Sequence, residues 1–507
     1  MNPVVQMSTT FALLPLVILA ASGVALLLLE VFGSGERREY LGYLAIAGAV
    51  SAGLAMVGIT VSAGGGATFF DGAMVVDRFA SFVGVGVLAF LVFAVLLSVD
   101  YLREHQIARG EYYALLFFAA AGMLVVASAG DFIVLFLGIE LLSLSIYVLA
   151  GYWRSTDLSV EASIKYFLLG SFASAILLFG IVLIWGEAGT LSFAALKSAA
   201  AGGAVWQNTA FVVGVFLVLG GIAFKVAAVP FHMWTPDAYQ GAPTSVTAFM
   251  GAAVKLAGFA ALVRVFPMSF GGGAGAMWVE PVVVLALITM TVGNLAALTQ
   301  SNVKRLFAYS SIAHAGYVLA GVAVAGLVLG KGDGAASRDA LAGVLFYLAT
   351  YGLTFLGAIG VVILLGRRGD ENLTLDAWSG FGWQAPAAGI AITVFLMSLG
   401  GIPPTAGFFA KFYLLRATIE GAGVQGAASG TLYTLAIFIA LNSLIALGYY
   451  LKLIIFLYMR RPEKELTPTR LPVVSIAVVL LVFLVLALGV LPGRLYDFGY
   501  SAFAALR

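Results

Sequence analysis

Apolar residues along this chain come in long unbroken runs separated by short polar stretches. The first run, 10–32, reads TFALLPLVILAASGVALLLLEVF and neither alternates nor keeps its apolar positions to one stripe. A helix that is apolar all round belongs in a protein core or a membrane. A span needs ~20 such residues, because ~1.5 Å of rise per residue must cover a hydrocarbon layer of ~30 Å. Runs of this kind recur at 41–63, 79–99, 112–129, 131–152, 163–186, 209–229, 245–266, 281–299, 306–329, 340–366, 388–420, 432–457 and 472–492, which predicts about fourteen spans. No Lys or Arg precedes the first run, so it reads as a retained span and not as a secretory signal.

Two runs are interrupted. The stretch 388–420 is too long for one straight helix and contains GGIPPTAG at 400–407. Pro403 and Pro404, flanked by glycines, predict two half-helices joined by a break. In FKVAAVPFHMWTPDAYQGAP, at 224–243, Pro230 ends the helix five residues after Lys225.

Composition agrees with a membrane solvent. The 507 residues are 62% hydrophobic and 10% charged, against about 25% charged in a soluble domain. The longest loops are about twenty residues and leave no room for a soluble domain. A net charge of +2 gives no nucleic-acid footprint. With no cysteine, disulfides, thiolate metal sites, iron–sulfur ligation and cysteine nucleophiles are excluded. Three histidines, His105, His232 and His314, do not supply the two facing pairs that a bis-histidine haem would need.

Cytoplasmic loops collect Lys and Arg. With the N-terminus outside, the inside loops hold fourteen basic residues, namely Arg37, Arg38, Arg103, Arg109, Arg154, Lys165, Lys304, Arg305, Arg367, Arg368, Arg460, Arg461, Lys464 and Arg470. The outside loops hold seven: Arg78, Lys197, Arg264, Lys331, Arg338, Arg494 and Arg507. Both termini are therefore expected outside, in agreement with an even number of spans.

Some charges fall within the apolar runs. Glu140 lies at the centre of 131–152 and Lys255 at the centre of 245–266; Lys225 stands just before one break and Lys411 just after the other. Arg416 and Lys452 lie nearer span ends, from which they can snorkel. A charge at the bilayer centre costs ~2.5–3.5 kcal/mol on insertion scales, so the three lysines and the glutamate must face protein or water. One reading is structural ion pairs that fix helix packing. The other is a proton path: burial or a neighbouring cation brings an ammonium towards neutrality, and a neighbouring carboxylate opposes this. The breaks suit the second reading, since open backbone at membrane depth is tolerated where it lines a cavity or is buried in protein. Paired broken helices are also the mark of internally repeated transporters. His232 and His314 are relay candidates by their ordinary titration range, although a lone membrane histidine more often only satisfies hydrogen bonds. Lys165 and the Lys304–Arg305 pair read first as interface anchors. The glycine-rich stretches at 271–276 and 326–332 lack the strand context or the spacing of nucleotide-binding loops.

FKVAAVPFHMWTPDAYQGAPT (224–244), QSNVKRLFAYSSIAHAGY (300–317) and SLGGIPPTAGFFAKFYLL (398–415) together resemble the antiporter-like subunits of respiratory complex I, the proton-pumping NADH:quinone oxidoreductase. HMWTPDAYQGAPT and SIAHAGY are most similar to the subunit N family. The resemblance covers roughly 110–460. It implies an all-α polytopic membrane protein of about fourteen helices, with two inverted five-helix repeats, each containing a broken helix. In that frame 1–507 is one membrane domain: helices 1–3 over 1–110, a first repeat over 111–267, a second over 280–458 and a C-terminal helix over 471–507. The resemblance makes Glu140 the partner of Lys225, Lys255 the connecting lysine, Lys411 the outlet lysine and His314 a member of the central polar axis, with Lys165 and His232 secondary.

It further implies a proton-translocating subunit that carries no cofactor of its own, with flavin mononucleotide, iron–sulfur clusters and quinone held by partner subunits. Neighbouring membrane subunits of the complex and the lipid bilayer are the expected partners, with no nucleic acid, in a bacterial inner membrane. Two alternatives stand beside this reading: a subunit of a multi-subunit Na+/H+ antiporter or membrane-bound hydrogenase, and a scaffold whose buried charges only lock helices together.

Overall fold

The computed structural model describes residues 9–32, 39–62, 66–271, 277–366, 373–424, 428–462 and 470–504. Arg37, Arg38, Arg367, Arg368, Lys464 and Arg507, used above to orient the chain, lie outside the described residues, as do 272–276 of the glycine-rich stretch.

Helices α1 (Thr9–Phe32) and α2 (Glu39–Ser62) lead to an antiparallel ribbon of β1 (Ala67–Phe69) and β2 (Met74–Val76), and then to α3 (Arg78–Glu104). Next come α4 (Gly110–Ala127), α5 (Phe132–Ala150), α6 (Asp157–Ala188) and a short α7 (Phe193–Ala201). Helix α8 (Thr209–Lys225) stops and resumes as α9 (Trp234–Gly241). A fully buried span follows, made of α10 (Thr244–Phe249), a π-helical turn at Met250–Val254 and α11 (Lys255–Val265). The second half runs α12 (Val279–Leu298), α13 (Val303–Leu329), α14 (Gly334–Leu365) and α15 (Phe381–Gln384). It continues through α16 (Pro386–Gly400), α17 (Ala406–Ala422), α18 (Ser429–Met459), α19 (Pro472–Val490) and α20 (Gly493–Ser501).

Among the described residues, twelve helices are long and apolar enough to cross a membrane. The other two predicted runs are the interrupted ones: 209–229 holds α8 and the break that follows it, with α9 resuming beyond, and 388–420 appears as α16 and α17. The short segment Asp376–Gln384 meets α16 at 116°.

Both interruptions are closed by the same helix cap. After α8, Ala227 sits at φ +61 while the Ala228 N–H returns to the Ala223 carbonyl at 2.9 Å. After α16, Gly401 sits at φ +83 and the Ile402 N–H returns to the Met397 carbonyl at 2.9 Å. These are Schellman closures, which use a left-handed residue to satisfy the last carbonyls. Glycine takes that conformation freely, whereas Ala227 pays about 1–2 kcal/mol for its Cβ. Each break is also held from the side. Thr289 of α12 accepts the Val229 N–H at 2.9 Å, and the Ser398 hydroxyl accepts the Gly407 N–H at 3.1 Å. Backbone groups freed in the membrane are thereby paired, as the absence of water there demands.

The helices on either side of the breaks pack in a recurring order. α4 lies against α5 and α6 against α8; likewise α12 lies against α13 and α14 against α16 and α17. Small residues permit the closest approach. A Cβ added at Gly316 would meet the backbone of Met290, and one at Gly293 would meet the backbone of Ala313, so α12 and α13 touch main chain to main chain.

One buried ion pair corrects the loop reading. Arg264 was counted in an outside loop, but it is buried in the last turn of α11, where it bonds Asp77 at 2.5 and 3.0 Å and the Ala127 carbonyl. Asp77 also caps α3. This arginine therefore ties α3, α4 and α11 together.

Replacing Gly316 by valine should drive α12 and α13 apart and cost at least about 1–3 kcal/mol. Thermal unfolding of the purified protein in detergent should show a lowered midpoint; an unchanged midpoint would mean that the two helices separate freely.

Candidate functional site: a buried lysine and tyrosine axis

Lys225 is the last residue of α8, so the break places its ammonium where the helix stops shielding it. It is buried, and its Nζ donates to Ser143 Oγ at 2.7 Å and to Tyr147 Oη at 3.3 Å, both on α5. The Tyr147 and Tyr166 rings stand 5.2 and 5.6 Å from the same Nζ. Glu140 lies one turn before Ser143 on α5, half-buried, and its carboxylate accepts the Ser174 hydroxyl at 2.5 Å. No ion pair among the described residues joins Glu140 to Lys225. Serine and tyrosine hydroxyls, not a carboxylate, are what the ammonium touches.

From Lys225 an aromatic wall leads inward. Tyr147 meets Tyr166 edge-on at 4.7 Å, Tyr166 stacks on Trp234 at 4.1 Å, and Trp234 meets Tyr239 at 6.4 Å. Trp234 also donates its indole N–H to the Phe224 carbonyl at 3.0 Å, which fixes the restart of the chain after the break. The wall continues through Phe355 to Tyr351.

Lys255 begins α11, directly after the π-helical turn, and is buried. Its Nζ donates to the Ser311 carbonyl of α13 and lies 5.5 Å from the centre of the Tyr351 ring. That ring stands 4.8 Å from His314. His314 is buried, with Nδ1 2.6 Å from Tyr347 Oη and Nε2 3.0 Å from Tyr450 Oη. Tyr450 Oη in turn lies 2.5 Å from Ser310 Oγ. A buried imidazole with both nitrogens bonded to hydroxyls can change tautomer without losing a partner, since each hydroxyl can donate or accept.

Lys411 lies beyond His314. It sits in α17, past the second break, and its Nζ donates at 3.0 Å to the carbonyl of Gly400, the last residue of α16. The carbonyl released by the break is thus the acceptor for the lysine. Tyr317 lies between, its ring 5.8 Å from His314 and 5.3 Å from Lys411 Nζ. The Tyr317 hydroxyl accepts from Asn294, and the Asn294 carbonyl oxygen accepts from Tyr449, each at 3.0 Å.

The structure thus gathers Lys225, Lys255, His314 and Lys411 into one buried band, with Glu140 at its half-exposed end. Lys165 and His232 lie elsewhere. Lys165 pairs with Glu161 at 2.6 Å and with Asp237 at 2.7 Å, and Asp237 also holds Arg305 at 2.7 Å. His232 follows the break and is half-buried, and its Nδ1 has no hydrogen-bond partner among the described residues. Lys304 departs from the anchoring role expected of it, because its side chain is buried and donates to the Ala242 carbonyl at 2.7 Å. Near the ends of α14 and α17, Arg416 bonds Asp339 at 2.8 and 2.9 Å and Tyr496 of α20 at 3.0 Å. Burial, and then the bond to Asp339, hold the Tyr496 phenol well above its ordinary value. The tyrosines of the axis were not singled out from sequence. A signal was present: Tyr347 and Tyr351 are four apart on α14, and Tyr449–Tyr450 stand two residues before Lys452, deep in a span.

Two broken helices, each with a lysine against the break, joined by a histidine between them, define a membrane protein of the antiporter-like class. Residues 129–438 match the NADH:quinone oxidoreductase/Mrp antiporter transmembrane family, and the chain belongs to that family. It is 42% identical over 503 residues to NADH-quinone oxidoreductase subunit N 1 of Sorangium cellulosum, covering 95% of this chain and 96% of that one. It is 41% identical over 496 residues to NADH-quinone oxidoreductase subunit N of Trichlorobacter lovleyi, covering 97% of this chain and 96% of that one. Among solved structures, a chain of Thermus thermophilus respiratory complex I with bound aureothin matches at TM-score 0.75 and 32% identity, over 95% of this chain and 98% of that one. A chain of the Mrp complex from Dietzia sp. matches at TM-score 0.82 and 23% identity over 98% of each chain, a likeness of fold.

Replacing Tyr347 and Tyr450 together by phenylalanine leaves both His314 nitrogens buried and unpaired. Each should cost about 1–3 kcal/mol. Thermal unfolding should show a loss greater than that of Tyr449→Phe alone; equal losses would show that His314 finds other partners at no cost.

Proposed function

We propose that this chain moves protons across the membrane as a subunit of NADH:quinone oxidoreductase, along the band Lys225–Lys255–His314–Lys411, coupled to quinone reduction in partner subunits. The observation that carries the reading is the set of contacts around the three lysines. Each ammonium ends on neutral oxygens, and none touches a carboxylate. An ammonium clamped by a carboxylate would be a structural cross-link, expensive to discharge. One held by hydroxyls and carbonyls can hand a proton to water or to the next group without breaking an ion pair. The near-full-length similarity to subunit N relatives favours the respiratory assignment over the Na+/H+ antiporter or hydrogenase alternative; the chain of the Mrp complex is only 23% identical.

Glu140 supplies the movable charge in this reading. It stands one turn from Ser143, which contacts Lys225, and a shift of α5 would bring carboxylate and ammonium together or apart. Lys411 lies beside the second break and serves as the outlet. The Lys165–Asp237–Arg305 cluster lies off the band near the start of α13, with Lys165 in a secondary role, and His232 would act only if water fills the first break. The two packing orders form the two repeats, 111–267 and 280–458. With five crossings each, the second runs through the membrane opposite to the first. Flavin, iron–sulfur clusters and quinone belong to partner subunits, with neighbouring membrane subunits against this chain. Both termini face outward from a bacterial inner membrane.

Lys225→Ala should lower NADH-driven proton pumping several-fold while the complex still assembles, as measured by dye quenching in vesicles. Full pumping in that variant would remove Lys225 from the path. If instead the chain drives sodium-dependent transport without NADH oxidation, the respiratory assignment falls and the band is left to the Na+/H+ antiporter alternative.

A further inference from the structure

A second feature lies apart from the lysine band, where α4 starts and α5 ends. A cleft of about 430 Å³ opens there between α1, α4 and α5. It shares Glu111, Tyr152 and Arg154 with an adjoining mouth of about 240 Å³. The deep part is apolar, built from Leu27, Leu115, Phe118 and Val148. The mouth is polar and carries Arg109 and Arg154, both exposed. Neither guanidinium makes an ion pair among the described residues. Tyr152 Oη is buried there without a hydrogen-bond partner. Trp153, also in the mouth, stands 4.7 Å from the His105 ring.

We infer that this cleft binds one anionic phospholipid, with an acyl chain between α1, α4 and α5 and the phosphate between Arg109 and Arg154. The observations divide as such a ligand would: apolar below, two free cations and a free hydroxyl above, aromatic rings at the boundary between them. Tyr and Trp take that boundary position in membranes, and basic pockets between helices on the cytoplasmic side suit anionic head groups. The positions of Arg103, Arg109 and Arg154 assign this end to that side. Two carboxylates oppose an anion here, Glu111 in the mouth and Glu30, which accepts the Gly110 N–H at 2.9 Å beside Arg109, and they make the inference sharper to test.

The test compares lipid retained by the complex after purification in mild detergent and reconstitution into phosphatidylcholine discs doped with phosphatidylglycerol. Bound lipid is extracted and quantified by mass spectrometry. Arg109→Gln with Arg154→Gln should lose about one phosphatidylglycerol per chain relative to the parent. Glu111→Gln should retain more phosphatidylglycerol than the parent, a gain that a merely structural role would not produce. Leu115→Trp, which fills the slot and leaves both arginines in place, should also release the lipid and covers the case in which the double variant fails to assemble. Unchanged retention in the arginine and Leu115→Trp variants overturns the inference. So does equal loss of phosphatidylcholine and phosphatidylglycerol, or a lipid held by the isolated chain but absent from the assembled complex, where a partner subunit would then fill the cleft.

Discussion

The structure depends on a single constraint: ammonium groups are buried at membrane depth and must be solvated by protein. Lys225, Lys255 and Lys411 meet it with hydroxyls, two backbone carbonyls and aromatic faces. The helix breaks follow from the same need. Where α16 stops, the Gly400 carbonyl has no helical partner and accepts from Lys411, whereas Ser311, within the continuous α13, offers Lys255 the second lone pair of its carbonyl. The π-helical turn before Lys255 disturbs the backbone at the matching place in a span that does not break. Each lysine thus sits beside a local fault in helix geometry, and side chains such as Thr289 and Ser398 keep those faults from leaving bare polar groups.

Solvation by neutral groups also links stability to function. Carboxylate partners would hold the lysines firmly charged and fix the helices. The hydroxyl partners of Lys225 hold it less firmly but tolerate both protonation states, because a tyrosine or serine oxygen can donate or accept. Elsewhere the chain uses the firmer arrangement: Arg264 with Asp77 and Arg416 with Asp339 tie helix ends together through charged pairs. Locked pairs at the ends and cations held by hydroxyls and carbonyls in the middle describe a rigid frame around an adjustable centre. Tyr347, Tyr351 and Tyr450 enclose His314 within that centre.

Much of this was legible in the sequence, because the cost of burying charge does not depend on knowing the fold. Lys225, Lys255, Lys411 and Glu140 stood out in apolar runs, and Pro230 and Pro403–Pro404 marked where helices end. Partners were not legible. Glu140 was expected against Lys225, but the side chains that reach the ammonium are Ser143 and Tyr147, three and seven residues further along the same helix. Serine and tyrosine are too common in membrane helices for a position alone to reveal a contact. Arg264 and Lys304 were assigned to loops because they lie near span ends, whereas depth inside the bundle is set by packing between helices distant in sequence.

The most direct test is the proton yield of the reconstituted complex when Lys255, the middle lysine, is replaced by methionine, a side chain of similar length without charge. Protons translocated and NADH oxidised are measured in the same vesicles, with assembly checked by subunit content. The account predicts a fully assembled complex whose proton translocation falls several-fold. An assembled complex with unaltered rate and unaltered protons per NADH would contradict it, and the buried lysines would then be structural.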